Sequence, residues 1–246
     1  MKQILAAMSF FTRLPFWRLT TLESKHYENI VPLWPLAGLL TGGLMMSVFY
    51  AASLLLPVNV AIVLAIISRV LLTGALHEDG FADFCDGFGG NSTGSFDADR
   101  ERTLRIMKDS FIGSYGVLGL ILYHLLLWTV LSSLAAILPL WIVALSILGI
   151  DVLSKAVSSM IVYFLPYARN AEAAKNKLVY NRGRLPLLPI LLSVITLNAP
   201  ILFLLFRWMK HRIGGYTGDC CGATFIIMES YNYILLLILC NWLEFA

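Results

Sequence analysis

The chain has 246 residues, of which 59% are hydrophobic and only 13% charged. Soluble domains carry about 45–50% apolar residues, so this excess excludes an ordinary soluble enzyme and points to a membrane protein that crosses the bilayer several times. The formal net charge of +3 is too small to make nucleic acid the main partner. Cys85, Cys220, Cys221 and Cys240 show neither CxxC spacing nor the setting of a small disulfide framework, and they read as reduced thiols. The short apolar patch at the N-terminus is followed by Arg13 and no small-residue cleavage site, so no removable signal peptide is expected.

Residues 1–29 mix Phe10, Phe11, Phe16 and Trp17 with Lys2, Arg13, Arg18 and Lys25, a pattern suited to an interfacial helix. Residues 30–56 are apolar and exceed the roughly 20 residues needed to cross a bilayer core. Pro32, Pro35 and the pair Gly42-Gly43 predict kinks or close packing there. Residues 58–76 form a second span after an uncharged turn, with Arg69 inside it. An intramembrane arginine needs a partner, and the acidic segment just downstream is the nearest source of one.

That segment is HEDGFADFCDGFGG, residues 77–90. If it is helical, spacings of four and three place Asp79, Asp83 and Asp86 on one face, where like charges repel. A hard cation relieves such a face, and Mg2+ takes carboxylate oxygens while leaving positions for substrate phosphate. Residues 77–113 hold eight of the chain's fifteen acids, making this the long polar segment in which chemistry in water is expected. Within it, residues 97–108 read as a helix with early acids and late bases, in agreement with the helix dipole.

Residues 114–138 and 140–165 are two further spans around Pro139. Asp151 and Lys155 lie four apart on one face of the second, placed either to neutralise each other or to face the site. Arg169, Lys175, Lys177, Arg182 and Arg184 make the next connection basic and therefore cytoplasmic, which puts the acidic segment on the same side. Residues 185–206 read as a hairpin broken at Asn198-Ala199-Pro200, because the residue before proline avoids helix. The stretch GGYTGDCCGAT, residues 214–224, sets Asp219 at the mouth of a last span that contains Glu229 and Asn232. Its glycines would let backbone approach phosphate, while Asp219 could complete a metal shell or orient a hydroxyl; packing of small residues is the competing explanation.

The expected fold is all-α: one polytopic membrane helical bundle over residues 1–246 with about six to seven membrane segments. An interfacial segment at 1–29, an acidic catalytic segment at 77–113 and a glycine-rich loop at 207–221 complete it, the last two facing the cytoplasm.

Taken together, FFTRLPF (10–16), HEDGFADFCDG (77–87), RTLRIMKDSFIGSYG (102–116) and GGYTGD (214–219) resemble the motifs of the cobalamin synthase family, the adenosylcobinamide-GDP ribazoletransferases. Their order and spacing cover nearly the whole chain. Departures from the family pattern are Glu78, where an apolar residue is common, and Lys155, where an arginine is expected. The segment between Arg184 and Gly214 is also short.

The resemblance implies attack of α-ribazole or α-ribazole 5′-phosphate on adenosylcobinamide-GDP, giving adenosylcobalamin or its phosphate and GMP, with Mg2+ as cofactor. It implies a prokaryotic cytoplasmic membrane, the lipid bilayer as partner, no nucleic acid, and leaves assembly of identical copies open. Asp79, Asp83 and Asp86, with Glu78 in doubt, would hold metal, and Asp86, Asp219 or His77 would serve as base. Arg13, Lys108, Asp109, Ser110, Lys155, Gly215, Thr217 and Gly218 would contact substrate. The rival readings are a CDP-alcohol phosphotransferase, whose clustered aspartates are similar in idea, a transporter built on Arg69, Asp151 and Lys155, and a zinc protein using His77, Cys85 and Cys220.

Overall fold

The computed structural model describes residues 1–90, 92–169, 180–181 and 186–244. Among them the regular structure is helical: α1 (Lys2–Phe11), α2 (Ser24–Tyr27), α3 (Trp34–Ser53), α4 (Val58–Thr73), α5 (Leu76–Gly89), α6 (Phe96–Ile106), α7 (Ser114–Ile137), α8 (Leu140–Ser158), α9 (Met160–Phe164), α10 (Leu187–Ile195), α11 (Ala199–Ile213) and α12 (Gly218–Glu244). Four stretches are long and apolar enough to cross a membrane, Val31–Ser53, Ser114–Ile137, Leu140–Phe164 and Gly218–Trp242. Two bent pairs, α4 with α5 and α10 with α11, raise the number to six if each is one broken span. This is the expected all-α polytopic bundle. Most of the basic connection, including Lys175, Lys177, Arg182 and Arg184, lies outside the described residues.

Local sequence explains where the helices turn. Pro57 and Pro139 precede α4 and α8 with extended ψ angles of 138°, so each uncharged turn ends as proline opens the next helix. Gly74 ends α4 at φ 66°, and Ala75 follows at φ 60°, two left-handed residues in succession that swing α5 through 89°. The acidic motif is thus a helix, as its spacing requires, laid nearly perpendicular to the span before it. The hairpin breaks near the expected turn, but Ala199 is helical and Pro200 sits in the first turn of α11; α10 and α11 meet at 115° across Leu197, at φ 56°, and Asn198.

The helix α1, expected at the membrane interface, packs into the bundle. Ala6, Ala7, Met8 and Phe11 are buried in a core shared with Trp34, Phe84, Met160 and Tyr216, while Met1 and Ile4 stay exposed. Elsewhere, α3 packs on α8 through Gly38 and Gly42, where an added Cβ would come within 2.8 Å of Val152 Cα and of Asp151 Cβ.

Outside the spans, α6 is locked to its neighbours by arginines. Arg100 donates to the carbonyls of Ile213 (3.1 Å) and Ala168 (2.6 Å), and Arg212 to Thr103 Oγ1 (3.1 Å) and the Gly90 carbonyl (2.8 Å). The buried Asp99 carboxylate accepts from Ser92 Oγ and the Thr93 backbone, and those bonds hold its pKa down at about 2.

Candidate active site

The two glycine-rich motifs meet because their glycines allow it. At Gly80 of α5 an added Cβ would lie 3.0 Å from Asp219 Cα, and at Gly222 of α12 it would lie 3.1 Å from the His77 carbonyl oxygen. A side chain at either position would force the two backbones apart by a few tenths of an ångström. The approach brings Asp79, from the first turn of α5, and Asp219, from the first turn of α12, onto one cavity of about 310 Å3. His77, Lys155 and Gly218 line it too, together with Arg169.

Aromatic rings make up much of the cavity wall. Phe11 meets Trp34 at a ring-centroid distance of 5.7 Å, Trp34 meets Tyr180 at 5.8 Å, and Tyr180 meets Phe10 at 6.2 Å. The His77 ring lies between Phe11 (5.7 Å) and Phe225 (4.3 Å). Lys155 Nζ sits 4.0 Å above the centre of the Phe225 ring, a cation–π contact.

Beneath the cavity a charged network fills the bundle interior. Lys155 Nζ bonds Asp151 Oδ1 at 2.5 Å and Thr41 Oγ1 at 3.0 Å, and Thr41 in turn donates to Asp151 at 2.9 Å. The mutual neutralisation read from the i, i+4 spacing is therefore real, yet Lys155 also reaches the cavity. Arg69 pairs with Glu229 of α12 and bonds Tyr123 at 2.5 Å, and Tyr123 donates to Glu229 at 2.6 Å. Asp151 and Glu78 each lie 3.8 Å from the Arg69 guanidinium. The downstream acid expected to pair with Arg69 is thus a secondary neighbour, and Glu229, 160 residues away, is its main partner.

The other predicted residues divide. Asp83, one turn after Asp79, is partly exposed and does not line the cavity. Glu78 departs from its expected place among the metal ligands: one residue of helix rotation turns it away from Asp79, into the interior beside Arg69. Asp86 is held elsewhere, its two oxygens accepting the N–H groups of Gly113 (2.7 Å) and Gly116 (2.8 Å) at the start of α7. This caps the helix and leaves the expected base and metal ligand outside the cavity. Lys108, Asp109 and Ser110 are exposed and also stand outside it. Arg13 is exposed, with its stem packed over Gly74.

Gly215 serves close packing, since a Cβ there would fall 2.1 Å from the Pro166 carbonyl oxygen. Its neighbour Tyr216 bonds Pro166 (2.9 Å) and Ala168 (2.8 Å), which fixes the segment carrying Tyr167 and Arg169. Thr217 is buried, its hydroxyl accepting the Cys220 N–H at 3.4 Å and reaching Asp219 at 3.3 Å. The zinc reading fails on position: Cys85 lies against Gly119 of α7, whereas Cys220 is buried beside Thr217. Trp34, Ser158, Tyr167, Tyr180 and Phe225 line the cavity without having been singled out, for aromatic and small residues in apolar runs carry no local signal.

Among the described residues no group of three His, Cys, Asp or Glu side chains is placed to hold a metal ion. Asp79 and Asp219 on one cavity still suit Mg2+, which commonly takes one or two carboxylates and completes its shell with water and substrate phosphate. The donor set fits an ion shared with substrate rather than caged by protein.

Comparison with known proteins shows the family. The family model described as cobalamin-5-phosphate synthase matches residues 3–238. An adenosylcobinamide-GDP ribazoletransferase of Shewanella frigidimarina is 39% identical over 247 residues, covering 94% of this chain and 92% of the relative. Those of Shewanella amazonensis and Vibrio cholerae serotype O1 are 38% and 34% identical, covering 96% and 95% of this chain and 94% and 92% of their own. No solved structure matches. With a match from the first helix almost to the last, and with both glycine-rich motifs building one cavity, the chain belongs to the cobalamin-5-phosphate synthase family.

Proposed function

We propose that this chain joins adenosylcobinamide-GDP and ribazole in the last joining step of cobalamin assembly, at the cavity shared by α5 and α12. Family membership and the relatives' names support the reaction; the convergence of Asp79 and Asp219 on one cavity supports its place. A ribose hydroxyl of α-ribazole, or of its 5′-phosphate, attacks the phosphorus that bears the cobinamide. The new P–O bond forms as the bond to GMP breaks, and the hydroxyl proton passes to a base.

Asp219 is the proposed base, since it borders the cavity beside exposed Gly218 at the first turn of α12. His77, on the same wall, is the alternative. Lys155 and Arg169 supply positive charge toward the diphosphate, with Asp151 holding the Lys155 ammonium in place. Asp79 and Asp219 would hold Mg2+, which when bound neutralises charge developing on the departing GMP. The cavity mouth faces the cytoplasm of a bacterial inner membrane in this reading, because the basic residues after α9 favour that side.

The test is GMP release by the purified protein given adenosylcobinamide-GDP and α-ribazole. Magnesium-dependent formation of GMP and a cobalamin product in equal amounts is expected, abolished by chelator. A well-folded preparation that forms neither product overturns the reaction, and activity unaffected by chelator overturns the metal.

A further inference from the structure

The wall of the cavity holds three buried polar groups with no hydrogen-bond partner among the described residues, Trp34 Nε1, His77 Nε2 and Ser158 Oγ. Leaving such a group unmatched is costly, and native interiors match nearly all of them. All three residues line one cavity, where a bound molecule could supply what the protein does not.

The wall also states what kind of molecule. Phe10, Phe11, Trp34, Tyr180 and Phe225 surround it with ring faces and edges, an enclosure that favours a flat aromatic ligand. At about 310 Å3 the space suits a nucleoside and is too small for a corrin macrocycle. Two flat bases are on offer, guanine and the base of ribazole, and hydrogen-bond polarity separates them. Guanine offers acceptors at N7 and O6 but also adjacent N–H donors that call for a carboxylate or carbonyl, and the two carboxylates on the cavity, Asp79 and Asp219, are assigned above to the metal and the acceptor hydroxyl. Trp34 is a donor only, so it matches an acceptor. A benzimidazole-type base is apolar around its rim apart from one unprotonated ring nitrogen, which is such an acceptor.

We infer that the aromatic wall is the subsite for the heteroaromatic base of the nucleoside acceptor, with Trp34 Nε1–H donating to the unprotonated ring nitrogen. The corrin ring and guanosine then lie outside this pocket, and the ribose hydroxyl points toward the acids of α5 and α12. This rests on the functional reading above, and its test is separable from that reading.

Benzimidazole riboside and indole riboside differ at the acceptor nitrogen, which is carbon in indole. GMP release by the full-length protein from adenosylcobinamide-GDP would be measured with each, separating KM from kcat. The wild-type protein is expected to show a KM about fivefold lower for benzimidazole riboside, the worth of one neutral hydrogen bond, with similar kcat. Trp34→Phe, which keeps a ring in the wall, should raise the benzimidazole KM to the indole value and leave the indole value unchanged. Equal KM values in the wild-type protein overturn the assignment without any variant. Discrimination that survives in folded Trp34→Phe also overturns it. If the variant weakens inhibition by GMP and spares the riboside KM, the wall holds guanine instead. In each of these cases GMP release itself continues, so the reaction stands even when the subsite falls.

Discussion

Asp86 and Asp79 are seven residues apart on the same helix, yet the structure gives them different work. Both Asp86 oxygens accept backbone N–H groups at the start of α7, whereas Asp79 opens on the cavity. Asp86→Asn should therefore act on stability, removing charge from a helix cap worth about 1–3 kcal/mol. Thermal unfolding in detergent should show a lower Tm, with GMP release per folded molecule within about threefold of wild type. A fall of about a hundredfold at unchanged Tm would return Asp86 to the reacting centre. The sequence alone could not separate these roles: three aspartates on one face look alike until their neighbours are known, and the Gly113 and Gly116 amides come from another helix.

Among the elements, the decisive contact is between α5 and α12. Gly222→Ala places a Cβ 3.1 Å from the His77 carbonyl, a backbone atom that cannot swing aside. Overpacking of this kind costs about 1–3 kcal/mol, and widening the gap between Asp79 and Asp219 should lower GMP turnover about ten- to a hundredfold. Gly43→Ala is the control, with nothing within 4 Å of its new Cβ. Equal turnover in the two variants would show that the helix spacing does not matter. Much at this scale was legible. The helical acidic motif, the break near Asn198 and the Asp151–Lys155 pair all follow from spacings of a few residues or from proline. The perpendicular turn of α5 was harder to read, because it depends on Ala75 adopting φ 60°, which alanine rarely does. The partner of Arg69 was out of reach, since nothing local links it to Glu229.

For the molecule as a whole, the buried network ties the spans together under the site. Arg69, Glu229 and Tyr123 come from α4, α12 and α7, and Asp151 and Lys155 from α8. Arg69→Met leaves Glu229 buried without its cation and should cost about 3–5 kcal/mol, while Arg69→Met with Glu229→Leu should cost less than the single change. Thermal unfolding of the two variants decides this, and a double variant less stable than the single one would contradict a paired network. Above this frame two glycine motifs more than a hundred residues apart share one cavity.

The central claim is that this shared cavity is where the joining reaction occurs, and the most direct measurement is GMP release from adenosylcobinamide-GDP and α-ribazole by Asp79→Asn and Asp219→Asn beside the wild-type protein. The account predicts that both variants fold with near wild-type Tm and lose about a hundredfold or more in turnover. Near-normal turnover in either would contradict it, for the carboxylate concerned would then be a bystander at the cavity rather than part of its chemistry.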